Sequence, residues 1–298
     1  MTLIQAIILG IVQGLTEFIP VSSTAHLIFA GRVVALYAGV NPVLRAEQTT
    51  ATIAVLQLGT LLAVLVYFAS DIVKITRAFI EDHLALVTGG RGATGQTEGR
   101  KLSHDAWLGW LIIIGSVPIA VVGLLFKKQI EGTFTKNLWV IATMMIVIAV
   151  LLAIAELVGK QQRTMEQLGI FDALIVGGAQ CLALIPGSSR SGSTIMAGLF
   201  AGEVRETAAR FSFLLSIPAV AASGLLELKE AVHKLPPGSA VAMAVGTFVS
   251  FLVGYGSIWF LLRFLRTHST GVFIAYRLII GILILVGLLG GYVSATVK

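Results

Sequence analysis

Long apolar runs alternate with short polar stretches along most of the chain. The clearest runs lie at 51–69, 107–126, 138–158, 241–262 and 278–296, each close to the roughly 20 residues that cross about 30 Å of hydrocarbon. A shorter run at 211–226 becomes a sixth span when 207–211 and 227–229 are read as its flanks. The pattern predicts an all-α integral membrane protein with about six full transmembrane helices. The most polar stretch, from about 80 to 106, contains GGRGATGQTEGRK and reads as a solvated connection without chemistry of its own.

Two segments do not fit a plain span. Residues 1–19 are apolar but stop at Pro20, and the chain resumes as VSSTAHLIFAGRVVALY. Residues 170–185 are apolar, stop at Pro186 and Gly187, and resume as SSRSGSTIMAGLFAG. Each is too short for two spans and too polar in its middle for one. Both predict a re-entrant helix hairpin, since non-helical backbone at membrane depth is tolerated where protein or a water-filled cavity covers it.

The two segments also resemble each other. GIVQGLTEFIPVSST occupies 10–24 and GGAQCLALIPGSSRS occupies 177–191, with the same Gly-to-Gln separation and a shared Pro-x-Ser-Ser. The chain therefore reads as a single membrane domain over 1–298 made of two repeats. The first, 1–165, holds a hairpin at 1–37 plus three spans; the second, 166–298, holds a hairpin at 170–203 plus three spans. Three spans between the hairpins is an odd number, so the second hairpin enters from the opposite face. Such inverted-topology repeats place broken helices tip to tip near the midplane.

Composition supports this picture. Only 12% of residues are charged and 56% are hydrophobic, against about 25% charged in an ordinary soluble domain. The net charge of +6 resides in Lys and Arg between the apolar runs, so a membrane protein's basic cytoplasmic loops account for it and a nucleic-acid partner is not expected. By the same rule, the side holding 70–106, 159–169 and 263–272 is cytoplasmic and both termini are outside. Cys181 is the lone cysteine, which excludes internal disulfides and a multi-cysteine metal site. No Lys or Arg precedes Arg32, so the first segment is not expected to be a cleaved signal. Oligomeric state is left open, a homodimer included.

The candidate chemistry sits in the two hairpins. Gln13 and Glu17 are four apart, on one helix face. A carboxylate at membrane depth costs at least about 2.5–3.5 kcal/mol, so Glu17 must face a cavity or a partner; a capping or buried hydrogen-bonded acid is the plain alternative. After Pro20, Ser22 or Ser23 can cap the returning helix. Ser23 and His26 are three apart, close enough to act on one substrate, whereas His83, His104, His233 and His268 lie in or beside loops and read as solvated. In PGSSRSGST, Pro186 and Gly187 break the helix, and the N–H groups at its restart form an anion site. Arg190 adds a planar fork for phosphate, with snorkelling to the interface as its alternative role, and Ser189, Ser191 and Thr194 add hydroxyls. One hairpin thus offers an acid, a hydroxyl and an imidazole, and the other an anion cradle. These are the parts of phosphoryl transfer, which runs on positioning and charge stabilisation. A divalent cation can join through Glu17 and Gln13 if the substrate's own oxygens complete its shell.

At these residues the chain resembles the undecaprenyl-diphosphate phosphatase family of bacterial membranes, also called bacitracin-resistance proteins. The resemblance rests on Gln13 to Glu17, on Pro20-Val21-Ser22-Ser23-Thr24-Ala25-His26 and on Pro186-Gly187-Ser188-Ser189-Arg190-Ser191-Gly192-Ser193-Thr194, and the order of hydrophobic segments agrees over the whole chain. It implies hydrolysis of undecaprenyl diphosphate, a prenyl diphosphate lipid, to the monophosphate in the cell membrane. That reaction recycles the carrier of cell-wall precursors and confers bacitracin resistance. It further implies a divalent cation (Mg2+ or Ca2+) and a site open to the extracytoplasmic side. The match points to Glu17, Ser23, His26 and Arg190, supported by Gln13, Ser189, Ser191 and Thr194. Gln13 stands where many members carry an acid, which weakens any scheme with two carboxylates on the metal. Ser23, His26 or water can be the nucleophile. The rival reading is a secondary transporter or flippase for a lipid phosphate or other anion, whose blueprint also uses inverted repeats and broken helices; a transporter has no use for a serine and a histidine beside its anion.

Overall fold

The computed structural model describes residues 1–88, 102–126, 137–236 and 238–295. Among them the chain forms eleven α-helices and no strand. In order they are α1 (Leu3–Phe18), α2 (Ser23–Val33), α3 (Pro42–Tyr67), α4 (Ala69–Thr88), α5 (His104–Leu125), α6 (Leu138–Val158), α7 (Ile170–Gln180), α8 (Arg190–Phe200), α9 (Arg205–Lys234), α10 (Ala240–Leu265) and α11 (Gly271–Leu289). Six of them, α3, α5, α6, α9, α10 and α11, have the length and hydropathy to cross a membrane, so this is a multi-pass membrane protein. Their outer faces leave Leu124, Leu157, Val272 and Leu289 largely exposed, as suits helices solvated by lipid.

The short helices are set by their ends. Thr2 caps α1 in a reciprocal box with Gln5. Pro20 bars helical backbone at the residue before it, and Ile19 is extended with ψ 134°. Ser22 then takes φ 78° and α2 begins. In the second segment α7 tightens into a one-turn 3-10 helix, Cys181–Leu184, and Ile185 is extended before Pro186. Gly187 follows with φ 91°, and Ser189 with φ 67° opens α8. Both breaks thus place a serine in the left-handed region just before the returning helix. Such a conformation costs a non-glycine residue on the order of 1–3 kcal/mol and clusters at functional sites. Gly187 is required twice over, by its φ and because an added Cβ would lie 2.3 Å from the Ile141 carbonyl oxygen.

Helix packing runs in corresponding couples. α1 lies on α10 and α7 lies on α5; α3 also packs on α10, and α9 on α5. The approach of α1 to α10 is close because Gly10 faces Gly246, whose carbonyl would be 2.4 Å from an added Cβ. α8 sits between α6 and α9, while α2 meets α6 and α11 through Ala25, Leu138, Ile141 and Ile284. The largest apolar core gathers Phe18, Phe68, Phe211 and Phe213, with the Phe18 and Phe213 rings edge to face at 5.3 Å.

Two boundaries differ from the hydropathy reading. Residues 69–88 form helix α4 where the sequence suggests a connection, because Asp71, Lys74, Arg77, Glu81 and Asp82 interrupt an amphipathic helix that buries Ile75 and Ala78. GGRGATGQTEGRK lies outside the described residues. The last helix spans 271–289 rather than 278–296, because Arg277 is not a flank but a fully buried residue within it. His83, in turn, is not a solvated loop residue: on α4 it stacks on Phe79 and accepts a hydrogen bond from Trp110 Nε1 at 3.0 Å. His268 is exposed and His104 starts α5, whereas the His233 side chain lies outside the described residues.

At the α8–α9 corner Glu203 is fully buried, with no hydrogen bond to either carboxylate oxygen. Burial and the neighbouring Asp172 carboxylate push its carboxyl up to about 8, against the pull of Arg163.

Candidate active site

The end of α1 meets the start of α8. Glu17, one turn from Gln13, is buried, as Gln13 is. Its Oε2 accepts hydrogen bonds from Ser23 Oγ at 2.8 Å and from Gln13 Nε2 at 3.1 Å. Its Oε1 accepts from Arg190 Nη2 at 3.1 Å, an ion pair between residues 173 apart in the chain. Gln13 Nε2 also reaches Thr60 Oγ1 on α3 at 3.3 Å. One carboxylate therefore gathers a serine, an amide and a guanidinium from two separate helix breaks.

Two atoms of this network are left with unused capacity. Gln13 Oε1 and Arg190 Nη1 are buried and have no hydrogen-bond partner. A buried polar atom left unpaired costs on the order of 1–3 kcal/mol, so both are placed to bind something further. Beside them Glu17, Phe18, Thr60, Leu61, Val64, Arg190, Ser216 and Val220 line a crevice too narrow to hold a water molecule.

Hydroxyls cluster at the α8 start. Ser189 Oγ accepts from Gly192 N at 3.1 Å and lies 3.2 Å from Ser191 Oγ. Ser191 Oγ reaches the Ile19 carbonyl of the other break at 3.4 Å. Thr194 is fully buried one turn deeper; its hydroxyl donates to the Arg190 carbonyl at 2.8 Å and lies 2.5 Å from Ser212 Oγ. Thr194 supports the turn and does not share the Glu17 network.

Ser23 and His26 do not hydrogen-bond to each other: Ser23 bonds to Glu17, and three residues further round α2 the imidazole faces α11. His26 Nδ1 lies 2.7 Å from the Ser22 carbonyl and Nε2 lies 2.6 Å from Tyr276 Oη. Ser22 sits at the cap position without a side-chain capping bond.

Arg277 is a residue that hydropathy missed. Fully buried, it donates to the carbonyls of Pro20 at 3.2 Å, Gly187 at 2.9 Å and Ser188 at 3.1 Å, and to those of Met144 and Met145 on α6. One guanidinium thus ties both breaks together, with carbonyl oxygens as its hydrogen-bond acceptors. A basic residue directly before the last apolar run, five positions beyond the polar stretch 263–272, was the signal. Thr60 and Tyr276 carried none, since polar residues of their kind are common in spans.

A model of the family described as Bacitracin resistance protein BacA matches residues 6–283. The undecaprenyl-diphosphatase of Syntrophobacter fumaroxidans is 48% identical over 281 residues, covering 94% of this chain and 95% of that protein. That of Mycolicibacterium vanbaalenii is 48% identical over 298 residues, covering 99% of this chain and all of its own length. The Mycobacterium marinum undecaprenyl-diphosphatase is 47% identical over 295 residues, covering 98% and 96%.

Proposed function

The chain belongs to the bacitracin resistance protein BacA family, and from that membership and its site we propose that it hydrolyses undecaprenyl diphosphate to undecaprenyl phosphate and inorganic phosphate. The reaction returns the lipid carrier to cell-wall synthesis and underlies bacitracin resistance. The observation that carries the reading is the contact of Glu17 with both Ser23 and Arg190.

Arg190 and the N–H groups at the start of α8 take the terminal phosphate, with Arg190 Nη1 free to bind an oxygen while Nη2 holds Glu17. Ser189 and Ser191 orient the same group. Ser23 Oγ attacks phosphorus, its proton passes to Glu17 Oε2, and the bridging P–O bond breaks to release undecaprenyl phosphate. Water then attacks the phosphoserine, giving a proton to His26 Nε2, while the P–O bond to Ser23 breaks and Glu17 Oε2 returns its proton to Ser23 Oγ, so that inorganic phosphate leaves with serine and carboxylate restored. In the alternative course His26 directs water at phosphorus with no covalent step.

A divalent cation, Mg2+ or Ca2+, fits the donor set in one way. Gln13 Oε1 and the Glu17 carboxylate are hard oxygens one turn apart, and among the described residues no cluster of three His, Cys, Asp or Glu exists, so the diphosphate must supply the remaining ligands. When bound, the cation supplies charge neutralisation at the phosphate oxygens.

The two hairpins are read as re-entrant parts of inverted repeats, meeting at midplane, in a bacterial inner membrane with the cleft open to the extracytoplasmic side. Purified protein in detergent, given a long-chain prenyl diphosphate, is expected to release inorganic phosphate. Glu17→Ala and Arg190→Ala are each expected to lower release at least about a hundredfold while the protein still inserts. Near-normal release from either variant rejects the site. Acid quenching during turnover is expected to trap phosphate on Ser23; an unmodified Ser23 favours direct attack by water.

A further inference from the structure

Tyr276 lies one residue before Arg277 on α11, and nothing in the reaction above uses it. Its ring stacks on the His26 imidazole with centroids 5.5 Å apart and planes at 15°, and its hydroxyl lies 2.6 Å from Nε2. The other ring nitrogen, Nδ1, lies 2.7 Å from the Ser22 carbonyl. A carbonyl only accepts, so Nδ1 carries the proton; Nε2 of the neutral ring is then the lone-pair nitrogen, and the Tyr276 hydroxyl donates to it.

We propose that Tyr276 is the positioning residue of His26, fixing the imidazole in the Nδ1–H tautomer with Nε2 held ready as a base at the rim of the site. Three features point to this role. The Ser22 carbonyl that fixes Nδ1 belongs to the strained break itself, so the ring is anchored to the backbone that also carries Ser23. Tyr276 is 39% exposed, so its hydroxyl can swing away from Nε2 without opening the core. Burial above all, and then the Arg277 guanidinium next to Tyr276 in the chain, oppose a positive charge on the ring against the pull of the Ser22 carbonyl. α2 packs on α6 and α11 through Ala25, Leu138, Ile141 and Ile284, which do not titrate.

The kinetic part of the test rests on the hydrolase reading; the spectroscopic part does not. Tyr276→Phe keeps the ring and its stacking and removes only the donor. It is expected to lower kcat about tenfold with KM within about twofold of wild type, and to move the acid limb of the kcat/KM profile up by about half to one pH unit, since a hydrogen bond to the neutral imidazole is lost. In a His26→Ala background the same substitution is expected to have no further effect, because Tyr276 acts through the imidazole. Equal losses in both backgrounds overturn the proposal. Independently of turnover, 15N spectra of histidine-labelled protein are expected to show His26 protonated on Nδ1, with the Nε2 resonance shifting in Tyr276→Phe while Nδ1 stays in place. A ring protonated on Nε2, or an Nε2 resonance indifferent to the substitution, also overturns it.

Discussion

At the scale of single residues, charge inside apolar sequence is the most informative signal, and its reading depends on what surrounds it. Glu17 and Arg190 stand out in the sequence because each interrupts an apolar stretch next to a proline, and the folded chain pairs them. Arg277 has the same property but lies beside the polar stretch 263–272, so hydropathy assigns it to a span boundary. Its acceptors are main-chain carbonyls of three other segments, which no local pattern encodes. Lysine has three donors to arginine's five and no planar fork. Arg277→Lys is therefore expected to leave carbonyls in both breaks unsatisfied, lowering phosphate release more than tenfold. Arg277→Met is expected to destabilise by at least about 3 kcal/mol in a detergent melt, as several buried acceptors lose their donor together. At Gly187 the added methyl of Gly187→Ala meets the Ile141 carbonyl in a left-handed backbone. An expected loss of about 2 kcal/mol or more, with reduced phosphate release, is read by the same melt and assay.

At the scale of elements, helix–break–helix segments were legible because proline and the run lengths around it leave few alternatives. The helix α4 was not, since five charged residues mask its apolar stripe from a hydropathy window and only its packing on α5 shows which face is buried. Spacing brought out Ser23 and His26 but not their separate partners: Ser23 meets Glu17 of α1 and His26 meets Tyr276 of α11. The α8–α9 corner holds the Glu203 carboxyl, raised to about 8 from its ordinary 4.5. A raised acid favours the neutral form in the folded protein, so its contribution is fully present below about pH 4.5 and is lost as pH rises through 8. Glu203→Gln is expected to flatten the melting temperature across that window. At pH 8.5 it gains at least about 1 kcal/mol over wild type, or roughly 2–4 °C. Parallel melting curves for the two proteins between pH 5 and 8.5 refute this.

At the scale of the whole molecule, the six crossing helices were readable from hydropathy, whereas the couples in which they pack, α1 on α10 and α7 on α5, required coordinates. The basic loops set an expected orientation. In a Cys181→Ala background, Lys160→Cys and His268→Cys are expected to react with an impermeant maleimide only in inside-out vesicles, and Asn41→Cys only in right-side-out ones. Labelling of Lys160→Cys from the outside reverses the assignment.

The arginine that joins the two breaks comes from the last helix, 257 residues after Pro20 and 90 after Gly187. During synthesis both serine-bearing turns are therefore made long before their common anchor exists. The candidate site is completed only by the last helix, and a ribosome-bound nascent chain carries both turns without the fastening that aligns them.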